Sequence, residues 1–422
     1  MTAAPAPAPR LRVAVVVQRY GPEVNGGAEA HARLFVEHVR RLHDVTVLTT
    51  RARSYVEWDD HYPAGESLVD GTPVIRFDHP RRGHEGRARV PRGHLLRYRL
   101  NRVFAALGRP AVAKRNGDPV HDGLQFLQRQ GPCCPALVEH LQQSAGRYDL
   151  VVFFTALYYP TALGLPATPV PKLLVPTLHN ERAMYLPLQR EVFERADGVL
   201  WNCAAERDLA TRLYGPQVAP GSLCGVGVEP VPPPPEVLAA ARRRLGLDGP
   251  FFVWVGRISR SKGFGSLARA FRLFAALDRG GVKLVVLGQD FMAELPRHPR
   301  LVYAGFVPDA ERDALMAGAL ATVVTSKHES LSLVTLESLA LGTPVIVNGR
   351  SDVLRAHVQD SRAGWVYGPS APLFLALRAA AAAGEAGRRA FGEAGRAYVR
   401  THYSWARVDA EWLQAVARTA RR

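Results

Sequence analysis

The chain alternates short apolar runs with amphipathic or polar stretches, and it does so in two successive series. The first series has apolar runs at 13–17, 45–48, 74–77, 150–154, 173–175 and 199–201. The second series has runs at 251–255, 284–287, 301–304, 322–325 and 344–347. Alternation of this kind predicts parallel sheets covered by helices on both faces. The fold class expected from the sequence is therefore α/β, with two sheets.

The 422 residues suit two domains, and a proline-rich stretch separates the two series. This stretch contains Pro230 and Pro232 to Pro235. An apolar stripe near the end of the chain, Trp405, Val408, Trp412 and Val416, predicts a last helix. We therefore expect a first domain at 1–228, a linker at 229–249, a second domain at 250–403 and a C-terminal helix at 404–422.

The net charge of +16 is concentrated in one segment. Residues 76–115 contain twelve Lys and Arg against Asp78 and Glu85, a net of 12 − 2 = +10. Such a patch suits anionic lipid head groups, a lipid-phosphate acceptor or nucleic acid, and a solvated arginine-rich insertion is the alternative. Three aromatic residues are too few to favour base stacking, so we expect no nucleic acid as partner.

The N-terminal residues 1–9 are rich in Ala and Pro and do not resemble a secretory leader. We therefore expect a cytoplasmic protein, with a peripheral position on the inner face of the membrane through residues 76–115 as a further expectation. Four cysteines without a CxxC pair indicate reduced, structural thiols and no metal site.

Two polar motifs of the second series follow apolar strands. Gly256-Arg257 and Lys262-Gly263 lie between the run at 251–255 and a helix, so that two cations can flank one anion. Glu329 and Glu337 lie eight residues apart where a strand leads into a helix. Carboxylates accept hydrogen bonds from sugar hydroxyls, and free N–H groups at a helix start suit phosphate. Exposed loop cations and surface glutamates without a specific role are the alternative interpretation.

The first series offers two weaker signals. Gly26 and Gly27 lie in the loop after the first strand, where glycine lets the backbone approach a bulky anion. His179 follows the run at 173–175, at the strand end where open α/β sheets bind ligands. A tight turn and a structural histidine are the alternatives.

Together, the Gly26-Gly27 loop, His179, the Gly-Arg-x4-Lys-Gly loop and the Glu-x7-Glu motif resemble the retaining GT-B glycosyltransferases of family 4. The resemblance spans about residues 11–410. It implies two Rossmann-like domains facing across a cleft, with the acceptor on the first, the nucleotide sugar on the second, and a C-terminal helix that crosses back to the first. It also implies a UDP- or GDP-sugar donor, no cofactor and no metal.

The resemblance assigns a role to each motif. Arg257 and Lys262 would bind the diphosphate, Glu337 the ribose and Glu329 the transferred sugar, while His179 would lie by the reacting carbon. The expected catalytic residues are Arg257, Lys262, Glu329 and His179. The expected donor-binding residues also include Gly26, Gly27, Gly256, Ser330, Leu331 and Leu333.

The chain departs from the family pattern in three places: Ser330 replaces a frequent Gly, Asn180 replaces a frequent Asp, and Gly288-Gln289-Asp290 lacks the second glycine common after that strand. A side chain at Ser330 narrows the approach to the sugar. The sequence leaves the acceptor open among cell-surface polysaccharide, glycolipid and secondary metabolite. A nucleotide-sugar epimerase and a sugar phosphorylase remain alternatives, because fold alone does not separate them. A basic nucleic-acid-binding protein is the non-enzymatic alternative.

Overall fold

The structure, a computed structural model, describes residues 10–419 apart from 56, 81–94, 110–118, 217 and 293. The chain divides into two compact units. Unit 1 comprises Met1–Val226 and Asp409–Arg422, and unit 2 comprises Gly227–Val408. Each unit is built on its own sheet with helices packed against it.

The described part of unit 1 contains an eight-stranded sheet in the order β3-β4-β2-β1-β5-β6-β7-β8. All neighbours are parallel except β3 and β4, which pair antiparallel at the edge. The strands are β1 (Arg12–Val16), β2 (Asp44–Thr50), β3 (Gly65–Val69), β4 (Thr72–Phe77), β5 (Leu150–Phe154), β6 (Lys172–Val175), β7 (Gly198–Trp201) and β8 (Gly221–Leu223).

Helices cover this sheet, and every residue of the central strand β5 is buried. The helices are α1 (Gly27–Val39), α2 (Leu95–Ala106), α3 (Pro119–Gln130), α4 (Pro135–Gln142), α5 (Tyr159–Ala167), α6 (Pro187–Arg195) and α7 (Ala204–Tyr214). A 3-10 turn covers Arg182–Tyr185. The continuous apolar sequence of β5 is explained by this burial, because a strand covered on both faces has no polar side.

The sheet of unit 2 has six strands in its described part, all parallel, in the order β11-β10-β9-β12-β13-β14. They are β9 (Phe251–Val255), β10 (Lys283–Leu287), β11 (Leu301–Gly305), β12 (Thr322–Val324), β13 (Val345–Asn348) and β14 (Gly364–Tyr367). The helices are α8 (Pro235–Leu245), α9 (Phe264–Leu277), α10 (Asp309–Ala317), α11 (Leu333–Leu341), α12 (Asp352–Ser361), α13 (Leu373–Ala382) and α14 (Gly384–His402).

The segment that the sequence treats as a linker, 229–249, belongs to unit 2 and contains α8. Its Ala241 and Leu247 are buried with Phe251 and Leu315 in one apolar cluster. Prolines precede this helix because proline is tolerated in a first helical turn, where the missing N–H would have no intrahelical partner.

The last helix, α15 (Trp405–Thr419), confirms the expectation that the C-terminal helix packs on the N-terminal domain. Its residues from Asp409 onward belong to unit 1, where the ring of Trp412 lies 5.2 Å from that of Phe35, edge to face. His38 Nε2 lies 2.5 Å from Asp409 Oδ1. The part of the apolar stripe from Trp412 onward therefore serves unit 1, whereas Trp405 and Val408 belong to unit 2.

Three strands were not predicted from the sequence: β3, β8 and β14. Residues of β3 and β14 are half-buried or exposed, so their sequences lack the continuous apolar character of the central strands. Among the described residues, no helix combines the length and apolar character needed to cross a bilayer. The four cysteines are free thiols, and all are buried.

Candidate functional site

The structure of unit 2 brings Lys262 and Glu329 together. Lys262 Nζ donates to Glu329 Oε1 at 2.7 Å, although the two residues are 67 positions apart. Their loops follow β9 and β12, which are neighbours in the sheet. Because parallel strands end at the same edge, the loops after adjacent strands must meet. Arg257 is half-buried and lies in the same loop after β9 as Lys262.

Thr325, at the end of β12, ties these two loops together. Its Oγ1 donates to the carbonyl of Lys262 at 2.6 Å and accepts from Trp254 Nε1 at 3.1 Å. Gly263 has φ of +79°, and a Cβ there would lie 2.7 Å from the Thr325 carbonyl oxygen. A side chain at Gly263 would therefore push the Lys262 loop away from Glu329.

The loop from Glu329 leads into the N-terminus of α11 through Ser330 and Leu331. Ser332, the N-cap, has φ of +64° and ψ of 73°, the left-handed region that few non-glycine residues adopt. Its Oγ lies 2.8 Å from Thr335 Oγ1. Ser330 and Leu333 are half-buried, and Leu331 is 4% exposed. The first N–H groups of α11 thus follow shortly after Glu329 in the chain, and a helix start favours anions.

His357, on α12, holds the carbonyl of this loop. Its Nε2 lies 2.7 Å from the Leu331 carbonyl oxygen, and its Nδ1 lies 2.9 Å from Tyr398 Oη. Burial lowers the pKa of His357 to about 4, so the ring is neutral at neutral pH. A carbonyl only accepts, so Nε2 carries the proton and Nδ1 accepts from the tyrosine hydroxyl. The histidine thereby fixes the loop whose N–H groups are predicted to bind phosphate.

Glu337 lies one turn into α11, with its side chain 20% exposed. Burial raises the pKa of its carboxyl, and the charge of Arg312 opposes this rise. Arg312, on α10, has a guanidinium nitrogen 3.7 Å from Glu337 Oε1. The same guanidinium donates to Asp309 at 2.9 Å and to Asp313. Two aspartates therefore orient the cation that favours the ionised form of Glu337, the form that accepts two hydroxyl groups, although their own charges raise its pKa.

The glycine loop of unit 1 covers a buried ion pair. Arg19 donates to Glu29 Oε1 at 2.5 Å, and both side chains are under 10% exposed. A Cβ on Gly26 would lie 2.1 Å from Glu29 Oε2, whereas one on Gly27 would meet no described atom within 4 Å. Gly26 is thus required for packing, and the backbone at Gly27, where α1 begins, can be approached closely.

His179 follows β6 in unit 1, as the sequence predicts, and its side chain is 30% exposed. Its Nδ1 lies 3.4 Å from Glu181 Oε1. The preceding backbone is held by Glu206 of α7, whose Oε1 accepts from Leu178 N at 2.6 Å. The other oxygen of Glu206 accepts from Asn202 N at 2.7 Å. Burial raises the pKa of Glu206 to about 8.

Sequence reasoning missed Arg312, His357 and Glu206, which act through other residues. His357 and Glu206 each lie on the buried face of a helix, beside Leu354 and Val358 in α12 and Leu209 and Ala210 in α7. A titratable residue on an otherwise apolar stripe is the signal that could have found these two. Arg312 had no such signal, because arginine is ordinary on a helix surface.

Comparison with known proteins agrees with this geometry. Residues 240–397 match the model of the glycosyl transferases group 1 family. Residues 240–397 form a group 1 glycosyltransferase domain. This domain contains Arg257, Lys262, Glu329 and Glu337, and the resemblance to GT-B glycosyltransferases is confirmed.

Curated relatives align with parts of the chain or at lower identity. The D-inositol 3-phosphate glycosyltransferase of Acidothermus cellulolyticus is 30% identical over 194 residues, which are 42% of this chain and 43% of the relative. The alpha-maltose-1-phosphate synthase of Mycolicibacterium smegmatis is 24% identical over 96% of this chain and 98% of the relative. For three relatives that are 29–31% identical, the chain aligns with only 34%, 43% and 60% of the relative's length.

Solved structures show the same fold along almost the whole chain. HepE of Anabaena, in complex with UDP and glucose, has a TM-score of 0.66 at 16% identity and covers 97% of this chain and 100% of its own. The sucrose-phosphate synthase of Thermosynechococcus elongatus has a TM-score of 0.63 at 18% identity, with 96% and 98% covered. The chain therefore has the GT-B fold.

Proposed function

We propose that the protein is a retaining glycosyltransferase that moves a sugar from a UDP- or GDP-sugar to an acceptor hydroxyl without a divalent metal. The observation that carries the proposal is the Lys262–Glu329 pair at 2.7 Å beside the N-terminus of α11. The proposal is supported because this cation, this carboxylate and the start of α11 all lie within the residues that match the group 1 glycosyltransferase model.

Different residues of unit 2 bind different parts of the donor. Arg257, Lys262 and the N–H groups of Ser330 and Leu331 bind the diphosphate, and Leu333 begins the helix that supplies the positive end of the dipole. Glu337 accepts hydrogen bonds from both ribose hydroxyls, while Glu329 accepts from a hydroxyl of the sugar. HepE, of the same fold, binds UDP-glucose in its crystals, which supports a nucleotide sugar as donor.

Catalysis follows from where charge develops. As the bond between the anomeric carbon and the diphosphate oxygen breaks, the leaving diphosphate gains negative charge, which the cations and helix N–H groups stabilise. The acceptor oxygen forms the new bond on the face from which the diphosphate departs, and its proton passes to an oxygen of the leaving diphosphate. The configuration at the anomeric carbon is retained. His179 and the Gly26-Gly27 loop belong to unit 1, and their roles stay predictions.

The proposal is tested by donor binding in the presence of EDTA. A panel of UDP- and GDP-sugars is screened by thermal shift, and the donor that raises Tm is titrated calorimetrically against the wild type and Glu337→Gln. We expect one donor to bind the wild type and the variant to lose at least tenfold in affinity. Glu311→Gln, at a half-buried residue paired with the exposed Arg244, is the control and should bind as the wild type. A panel without any binder would overturn the proposal.

Reaction class is tested with the donor so identified. Release of the nucleoside diphosphate that depends on an added acceptor separates a transferase from an epimerase and from a phosphorylase. The anomeric configuration of the product, read by NMR coupling constants, tests retention. An inverted product, or activity that EDTA abolishes and Mg²⁺ restores, would contradict the corresponding part of the proposal.

A further inference from the structure

Helix α2 of unit 1 carries long apolar side chains on its solvent face. Leu96, Leu100, Val103 and Leu107 are 66%, 48%, 56% and 68% exposed. Their spacings of four, three and four residues place them on one stripe of the helix, which Leu107 extends by one residue beyond Ala106. Scattered exposed leucines are common, but a contiguous stripe marks an interaction surface.

The opposite face of α2 makes the contact with the rest of unit 1. Asn101 and Ala105 are 4% and 7% exposed, and the helix packs against α7 and the 3-10 turn. Among the described side chains of α2, the buried ones are therefore a polar and a small residue, whereas the large apolar residues of the stripe are exposed. An ordinary surface helix turns its apolar stripe to the core instead.

Positive charge flanks the stripe. Arg99, Arg102 and Arg109 are exposed, and the sequence of α2 contains no acidic residue. Over residues 76–115 the sequence has twelve basic residues against two acidic ones. A second copy of the chain docked on this stripe would bring two such arginine-rich helices together, with like charges in contact. A surface that presents both anionic groups and an apolar layer matches the helix in both respects.

We propose that α2 docks the protein on an anionic lipid bilayer, with the Leu96–Leu107 stripe inserted at the head-group boundary and the flanking arginines against lipid phosphates. The inference is independent of the chemistry of unit 2, since it rests on the exposed stripe and its charge. An apolar stripe with a cationic border lies parallel to the bilayer surface, and its binding requires both parts.

The test is cosedimentation of the full chain with vesicles. We expect the protein to bind vesicles of phosphatidylcholine mixed with phosphatidylglycerol, to bind pure phosphatidylcholine vesicles at least tenfold more weakly, and to be released by high salt. No binding to the mixed vesicles, or equal binding to both kinds, would overturn the proposal.

Variants distinguish binding through the α2 stripe from non-specific binding by exposed apolar side chains. The double variant Leu100→Ser with Val103→Ser should lose at least tenfold in binding to the mixed vesicles. The matched control, Leu68→Ser with Leu277→Ser, removes apolar side chains that are 72% and 58% exposed elsewhere and should bind as the wild type. Equal loss in both double variants would refute a specific docking helix. Circular dichroism confirms that each variant folds.

Two further readouts address the alternative occupant. Leu100→Trp should show a blue shift of tryptophan fluorescence on addition of mixed vesicles, because the ring enters an apolar layer. Light scattering should give the same mass for the wild type and for the Leu100→Ser, Val103→Ser variant. A wild-type dimer that this variant dissociates would assign the stripe to contact between copies and overturn the proposal.

Discussion

At the scale of single residues, the ionisation of Glu337 is set by opposing effects. Burial in α11 and the charges of Asp313 and Asp309 raise the pKa of its carboxyl, and the nearby guanidinium of Arg312 lowers it. Ribose binding as we propose it requires the ionised form, which accepts from both hydroxyls. Arg312 is therefore a positioning residue, since it acts on the donor through Glu337.

Arg312→Met should make donor binding more sensitive to acid. Without the guanidinium the pKa of Glu337 rises further, and protonation of its carboxyl then begins at a higher pH. We expect kcat/KM for the donor to fall roughly tenfold, equal to about 1.4 kcal/mol. The acid limb of its pH profile should also move to higher pH, which a purely structural loss would not produce.

The matched control is Arg244→Met. Arg244 is an exposed arginine of α8 that pairs with Glu311, and Glu311 lies on α10 beside Arg312. This control should leave both the rate and the pH profile unchanged. An unshifted acid limb in Arg312→Met would show that Arg312 does not act through the ionisation of Glu337.

At the scale of elements, strand order decides which loops form the site. The loops after β9 and β12 meet because these strands are neighbours, although the sequence places β10 and β11 between them. The absence of a side chain at Gly263 and the hydroxyl of Thr325 then fix the contact. Helix α15 shows the same principle, since Trp412 of its stripe packs on Phe35, more than 350 residues earlier in the chain.

Trp412→Ala should destabilise unit 1. The Trp412 side chain is 1% exposed and packs edge to face against Phe35 and His43. Replacing a buried tryptophan with alanine leaves a cavity and costs about 3–5 kcal/mol in free energy of unfolding. Urea denaturation measures the change.

The neighbouring Leu413→Ala is the control for this element. Its side chain is 44% exposed, and such a substitution should change the free energy of unfolding by about 0.5 kcal/mol or less. Equal effects of the two variants would mean that α15 is held by its backbone or its charges and not by the tryptophan ring.

At the scale of the whole molecule, Glu206 makes stability depend on pH. Burial raises the pKa of its carboxyl from the ordinary 4.5 to about 8 in the folded state. The folded protein therefore holds this proton more tightly than the unfolded chain. Its contribution to stability is complete below pH 4.5 and is lost as the pH rises from there through about 8.

Glu206→Gln should remove this slope. Between pH 5 and 8 the free energy of unfolding of the wild type should fall by about 1 kcal/mol per pH unit more than that of the variant. The variant should also be less stable than the wild type at pH 5, because its amide would face the Asn202 N–H, and this difference should shrink as the pH rises to 8. Denaturation across this range gives the slopes, and Glu139→Gln, an exposed residue of α4, should keep the wild-type slope.

The sequence by itself determined the fold class, most of the strands and the motif residues of unit 2. These follow from local properties: apolar periodicity decides helix or strand, and glycine, arginine and glutamate at strand ends indicate anion and hydroxyl binding. The range 251–255 predicted for β9 agrees with the structure residue for residue. The edge strands β3, which is mostly exposed, and β14, which is half-buried, were not found, because their apolar pattern is weak.

Only the tertiary structure decided which of these residues meet and what supports them. The pairing of Lys262 with Glu329 depends on strand order, which periodicity does not encode. The burial that raises the pKa of Glu337 and Glu206 depends on packing from several distant segments. The face of α2 that meets solvent depends on what covers its other side, and so a charge-rich segment became a helix with an apolar stripe only in the folded chain.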